Sequence, residues 1–102
     1  MMYRLALALL SVTLIAAPAA AQNENCPGQD VIYVPTPQDV VDAMLEMAKV
    51  TGRDVVYDLG SGDGRIPITA AKTYGARATG IDICDLRIKE ANANLKSANV
   101  AD

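Results

Sequence analysis

A short apolar run leads directly into a loop with a glycine at every second position, and this junction constrains the fold more than any other part of the sequence. Residues 54–59 read DVVYDL, a β-branched run of strand length, and residues 60–64 read GSGDG. A helix-forming stretch, RIPITAAKTY at residues 65–74, follows at once. The glycines let the backbone turn sharply and approach a ligand without a Cβ in the way. The junction therefore predicts a buried strand, a ligand-binding loop and a helix in succession.

A further helix is expected before this junction. Thr36 is predicted as its N-cap, Pro37 as its first residue and Asp39 as the acid of a capping box. Its end is expected near Lys49. One apolar stripe runs along it at helical spacing. The stripe consists of Val40, Val41, Met44, Leu45 and Ala48.

A second strand and a third helix are expected after the junction. Residues 76–83, ARATGIDI, are predicted as the strand. Asp85 is predicted to cap a helix that reaches about Ala98. One face of this helix carries Ile88, Ala91, Leu95 and Ala98. Strands that alternate with helices are joined by right-handed crossovers into a parallel sheet. The predicted fold class is therefore α/β, with a Rossmann-like parallel sheet.

The acidic residues around the glycine loop indicate the kind of ligand. The dinucleotide fingerprint is G-x-G-x-x-G, but here the third glycine comes one residue early and Arg65 stands at the last glycine position. No G-K-[ST] follows, which excludes a P-loop. The carboxylates of Asp58 and Asp63 would repel a pyrophosphate and suit an ammonium and hydroxyls. Asp82 is expected at the same edge of the sheet, where an acid binds both hydroxyls of a ribose.

The segments VVYDLGSGDGR and TGIDI resemble the cofactor-binding half of the class I, seven-strand S-adenosylmethionine-dependent methyltransferases. The signature of that family is an acid, a G-x-G-x-G loop after the first strand, and an acid that ends the second strand. The resemblance implies S-adenosyl-L-methionine as the cofactor, with the loop on its methionine part, Asp82 on the ribose and Ile83 against the adenine. The cofactor-binding residues it implies are Asp58, Gly60, Ser61, Gly62, Asp63, Gly64, Asp82 and Ile83.

A second, shorter resemblance is the only indication of the methyl acceptor. The YVPTP segment at residues 33–37 is similar to Dot1-like and related protein-lysine methyltransferases, which implies a protein lysine. Only the first two βα units of a seven-strand fold are expected, so the chain is interpreted as a partial one, and no catalytic residue is assigned. Two alternatives stay open: an NAD(P)-dependent oxidoreductase, and an exported Rossmann-like binding module without turnover.

The first 21 residues have the pattern of a signal peptide. Arg4 precedes the apolar run LALALLSVTLIAA, which Pro18 and three alanines follow. We therefore expect an exported protein, periplasmic or secreted, without a stable membrane span unless this leader stays uncleaved. The predicted organisation is a leader at residues 1–21, a tail and approach segment at 22–35, and the N-terminal part of a methyltransferase domain at 36–102.

Charge and cysteine content bear on whether the chain binds nucleic acid or metal ions and on whether it forms a disulfide. The formal net charge is −3, and no cluster of lysines or arginines is present, which argues against a nucleic-acid partner. The chain has no histidine and no C-x-x-C pair, so no metal site is predicted. Cys26 and Cys84 can form a disulfide in an exported protein. Their positions, one in a tail and one after a strand, favour two unrelated cysteines instead.

Overall fold

The α/β order expected from the sequence is confirmed. The computed structural model describes residues 26–100, so the predicted leader lies outside the described residues. Within them three helices alternate with two strands. The elements are α1 (Gln38–Met47), β1 (Val55–Leu59), α2 (Arg65–Tyr74), β2 (Arg77–Ile81) and α3 (Asp85–Ala98).

The two strands form a parallel pair, and α2 is the crossover between them. Their register places Val55 beside Arg77 and Leu59 beside Ile81. Both strands therefore end at the same edge of the sheet. The loop after β1 and the segment after β2 meet there, which is the part of an open α/β sheet where ligands bind.

The core lies between α1, α2 and one face of the sheet. Val41 and Leu45 of α1 are buried with Ala70 of α2 and Ala76, and Val56 of β1 packs against this cluster. The predicted apolar stripe of α1 is correct only for these two α1 residues, because the other three are exposed.

The prediction of a fully buried first strand is wrong for one of its faces. Val55, Tyr57 and Leu59 alternate with Val56 along β1 and are 45%, 68% and 77% exposed. Side chains of a strand alternate between the two faces of its sheet. Within residues 26–100 the core covers only the face that Val56 occupies.

The predicted helix caps are also corrected. The N–H of Val41 donates to the carbonyl oxygen of Pro37 at 3.1 Å, so Pro37, not Thr36, is the N-cap of α1. Cys84 is likewise the N-cap of α3, since its carbonyl oxygen accepts the N–H of Ile88 at 3.0 Å. Neither helix has a side-chain cap. The capping residue is set by which carbonyl accepts the first intrahelical bond.

The preference for two unrelated cysteines is wrong as well. Cys26 and Cys84 are joined by a disulfide, with their Cα atoms 5.3 Å apart. This separation lies in the usual range for disulfides. The segment before α1 runs back along the edge of the sheet and brings Cys26 beside the start of α3.

None of the helices in residues 26–100 is both long and apolar enough to cross a membrane.

Candidate cofactor-binding site

The glycine loop is fixed against the end of β2. Gly60, Gly62 and Gly64 have φ angles of +82°, +56° and +79°, which other residues rarely adopt. The N–H groups of Gly60 and Ser61 both donate to the carbonyl oxygen of Ile81, at 2.7 and 3.0 Å. The loop is therefore shaped by backbone conformations that require glycine and by bonds to the neighbouring strand.

Asp82 is held by two backbone donors directly after β2. Its Oδ2 accepts the N–H of Gly62 at 2.8 Å, and its Oδ1 accepts the N–H of Cys84 at 2.9 Å. An ionised carboxylate offers about four acceptor positions. Each oxygen therefore keeps a lone pair for a further donor, such as a ribose hydroxyl.

Asp58, at the end of β1, has one oxygen without a partner. Its Oδ2 is buried and has no hydrogen bond within the described part of the chain. Burial raises the pKa of this carboxyl, and the negative charge of Asp82 raises it further. A buried carboxylate oxygen without a donor is energetically unfavourable. A cationic donor would relieve both the missing bond and the repulsion from Asp82.

Asp63 is neutralised from within the protein. Its Oδ1 accepts from Nε of Arg65 at 3.0 Å, and its Oδ2 accepts from Nη2 at 2.6 Å. These hydrogen bonds lower the pKa of Asp63, so it stays ionised and paired. The arginine also donates from Nη1 to the carbonyl oxygen of Thr36 at 2.7 Å. Of the three acids around the glycine loop, Asp58 and Asp82 have no basic partner within residues 26–100.

A cavity of about 540 Å³ lies over this edge of the sheet. That volume is typical of small-molecule sites. Its second wall is formed by residues 28–36. They belong to the segment before α1, residues 26–36, which we name the N-terminal strap. The predicted site residues that line the cavity are Asp58, Gly60, Ser61, Asp63, Asp82 and Ile83.

The other two predicted site residues, Gly62 and Gly64, do not line the cavity. Gly62 is buried beneath the ring of Tyr33, which any Cβ at this position would hit. A Cβ on Gly64 would lie 3.0 Å from the Cβ of Ala91 in α3. Gly62 thus positions Asp82 through its N–H, and Gly64 permits close packing of the loop against α3.

The residues that hold the strap were not among the predicted site residues. Tyr33 covers Gly62 and lies under the guanidinium of Arg87, which is 4.2 Å from the ring centroid. Arg65 links the loop to Thr36. The available signals were an aromatic residue before the VPTP segment and an arginine directly after the glycine loop.

No group of histidine, cysteine, aspartate or glutamate side chains suited to a metal ion is found in residues 26–100.

No protein-family model matches the chain. A curated relative, a protein-lysine N-methyltransferase of Saccharolobus islandicus, is 58% identical over 71 residues. This match covers 69% of the chain, and the chain spans 44% of that relative's length.

Solved structures of methyltransferases match the fold of this chain. An RNA methyltransferase of Salinibacter ruber in complex with S-adenosyl-L-homocysteine matches with 60% identity and a TM-score of 0.65, over 67% of this chain and 44% of its own. A SAM-dependent methyltransferase of Thiobacillus denitrificans, in complex with the same ligand, has 28% identity and a TM-score of 0.63. That match covers 69% of this chain and 28% of its own.

The chain therefore has the fold of part of a class I S-adenosylmethionine-dependent methyltransferase. The resemblance expected from the strand, glycine loop and second acid is confirmed. These three relatives are named methyltransferases, and the chain corresponds to less than half of each of them.

Proposed function

We propose that this chain binds S-adenosylmethionine in the cavity between the glycine loop and the strap. Because the chain matches less than half of each relative, we propose methyl transfer only as the activity of a protein as long as those relatives. The observation that carries the proposal is the buried, unpartnered Oδ2 of Asp58 beside a second carboxylate, Asp82. S-adenosyl-L-homocysteine, which is bound in two solved relatives, supports the choice of ligand.

The residues of the site fit the parts of that cofactor. Asp58 would accept a hydrogen bond from the ammonium of the methionine moiety, which satisfies its free oxygen and offsets the repulsion from Asp82. Asp82 would use its remaining lone pairs for the ribose hydroxyls. Ile83, which is exposed at the cavity edge, would pack against the adenine. When bound, the cofactor supplies an electrophilic methyl group on its sulfonium. The protein contributes chiefly by positioning.

The same charges disfavour a nicotinamide dinucleotide. The pyrophosphate of such a cofactor would lie on the glycine loop beside Asp58, and the guanidinium of Arg65 at this edge of the cavity is already paired with Asp63. The negative charges of the pyrophosphate and the carboxylate would repel each other. The other alternative, a binding module without turnover, would have the same cofactor site. An assay of methyl transfer distinguishes it from an enzyme.

A protein lysine is the acceptor we propose. The name of the curated relative and the YVPTP segment support it. RNA is the second candidate, because the Salinibacter ruber relative is named an RNA methyltransferase. The net charge of −3 does not favour nucleic acid. With a cofactor tritiated on its methyl group, label in a protein substrate that is prevented by dimethylating the lysines of that substrate beforehand supports the first candidate, and label in RNA contradicts it.

We further propose that residues 1–21 act as an export signal, so that the mature protein works outside the cytoplasm. The charged start, the apolar run and the small residues at positions 19–21 support this. A mature N-terminus at Gln22, measured by mass spectrometry of protein from the periplasm or medium, is the expected result. Retention in the cytoplasm would contradict it.

Calorimetry with S-adenosylhomocysteine tests the cofactor proposal. We expect binding to the unaltered chain and at least about tenfold weaker binding to Asp82→Ala, because hydrogen bonds to a charged group contribute about 1.5–3 kcal/mol each. Asp85→Ala is the matched control: it removes the same charge three residues along, at an exposed position outside the cavity lining. NADH should not bind. Failure to bind the analogue, or equal losses in both variants, would refute the proposal.

A further inference from the structure

The strap is the part of the cavity wall with the least support from regular structure. Residues 28–36 line the cavity and include no helix or strand. Val31 and Ile32 are 76% and 70% exposed. The position of this wall therefore depends on a few attachments to the rest of the protein.

The half of the strap next to α1 is attached by side-chain contacts. Arg65 donates from Nη1 to the carbonyl oxygen of Thr36 at 2.7 Å. The ring of Tyr33 lies between Gly62 and the guanidinium of Arg87. These contacts are non-covalent and independent of the cysteines.

The other half is attached through the disulfide. The hydrogen bonds of residues 26–32 in the described chain are internal: the N–H of Gln29 donates to the carbonyl oxygen of Cys26, and the N–H of Cys26 donates to Oε1 of Gln29, both at 3.2 Å. Cys26 is bonded to Cys84, which is 1% exposed. The covalent bond is thus the main connection of this half to the body of the protein.

One cysteine of the disulfide, Cys84, lies beside the proposed cofactor-binding residues. The N–H of Cys84 donates to Oδ1 of Asp82 at 2.9 Å, so the anchor of the strap neighbours the carboxylate proposed for the ribose. Gly28 in the strap lies next to Ile83, the residue proposed for the adenine. The bond therefore connects the outer wall of the cavity to its nucleoside end.

We infer that the Cys26–Cys84 pair is a redox-sensitive latch that holds the strap over the nucleoside end of the cavity, so that the oxidised chain binds the cofactor more tightly than the reduced chain. This inference rests on the proposed function. Closure by a small-molecule disulfide proceeds by two exchanges. One cysteine thiolate attacks that disulfide and displaces one thiol, and the second cysteine then displaces the other. The cysteines lose two electrons and two protons, and the small disulfide is reduced to two thiols.

The expected effect follows from the fraction of chains with a closed strap. When only a fraction of the chains is competent to bind, the apparent Kd rises by the inverse of that fraction, so a strap closed about one tenth of the time gives roughly tenfold weaker binding. An exported protein meets the oxidising conditions that keep such a bond closed.

The test compares the oxidised and the reduced chain in two measurements. Calorimetry with S-adenosylhomocysteine gives the affinity, and limited digestion with thermolysin, without ligand, gives the rate of cleavage beside Val31 and Ile32. Thiol alkylation with mass spectrometry verifies the redox state of each sample. Cys26→Ser is the control, because it lacks the bond but keeps the buried Cys84. It should behave as the reduced chain does, with or without reductant.

We expect reduction to weaken binding about tenfold and to speed cleavage of the strap. Equal affinity, equal cleavage in both states, or two free thiols in the air-oxidised chain would overturn the inference. Faster cleavage after reduction with no binding of the analogue in either state would instead refute the proposed function, and with it the link to affinity.

Discussion

Substitution of Gly62 by alanine tests how the glycine loop is built. This residue has a φ of +56° and lies under the ring of Tyr33, which an added Cβ would hit. Its N–H also holds Oδ2 of Asp82. The substitution therefore adds backbone strain and a steric clash at the point that positions the second carboxylate.

Gly75 provides a matched control for the strain alone. It has a φ of +70° at the end of α2, and a Cβ there would meet nothing within 4 Å. A left-handed conformation costs an L-residue about 1–2 kcal/mol, which applies to both positions. Displacement of a packed ring typically adds about 1–3 kcal/mol, which applies only to Gly62→Ala. We expect the two free energies of unfolding to differ by this second amount.

Urea denaturation of both variants, followed by far-UV circular dichroism, measures the difference. Calorimetry with S-adenosylhomocysteine should also show weaker binding for Gly62→Ala and little change for Gly75→Ala. In a Tyr33→Ala background the additional loss at Gly62 should disappear, because the ring is gone. Equal losses at the two glycines, or an additional loss that persists without the ring, would refute the reasoning.

Four further outcomes are expected. Asp58→Asn should stabilise the unliganded chain at neutral pH and weaken binding of S-adenosylhomocysteine. Because the pKa of Asp58 is raised in the folded chain, the stability of the unaltered chain falls as the pH rises through that pKa. Thermal unfolding measured against pH should show this fall in the unaltered chain and not in the variant. Arg65→Lys should destabilise by about 1–2 kcal/mol near neutral pH, with the difference from the unaltered chain shrinking as pH falls through the lowered pKa of Asp63. Val41→Ala should cost about 2–3 kcal/mol, against under about 1 kcal/mol for its exposed neighbour Val40→Ala, by urea denaturation. Reduction of the disulfide, whose cysteines are 58 residues apart, should lower the free energy of unfolding by about 4 kcal/mol in the chain-entropy account, and an unchanged midpoint would contradict this.

The elements that position the site could be predicted because their signals are local. Helix α2 has the predicted bounds, Arg65–Tyr74, since glycines stand on both sides of it. The closeness of Asp58 and Asp82 follows from the parallel pairing of two consecutive strands, which bring their carboxyl ends to one edge. A periodic pattern and a short crossover are sufficient for both conclusions.

Two of the remaining features depend on the path of the strap, which has no periodicity. The stacking of Tyr33 with Arg87 and the bond between Cys26 and Cys84 join residues more than 50 positions apart. The pairing of Asp63 with Arg65 is local, but whether an acid binds a ligand or its neighbour depends on the direction of both side chains. Sequence spacing fixes none of these geometries.

A sheet of two strands has no interior strand. In the described chain β1 and β2 each use one row of backbone N–H and C=O groups for the other, and the row on the far side of each strand is unpaired within the sheet. Such rows are templates for strand addition between molecules. The open face with Tyr57 and Leu59 favours the same association through apolar contact. The solution behaviour of this chain should therefore depend on its concentration: strand addition limits how concentrated it can be kept, while ligand binding at the carboxyl edge leaves both outer rows as they are.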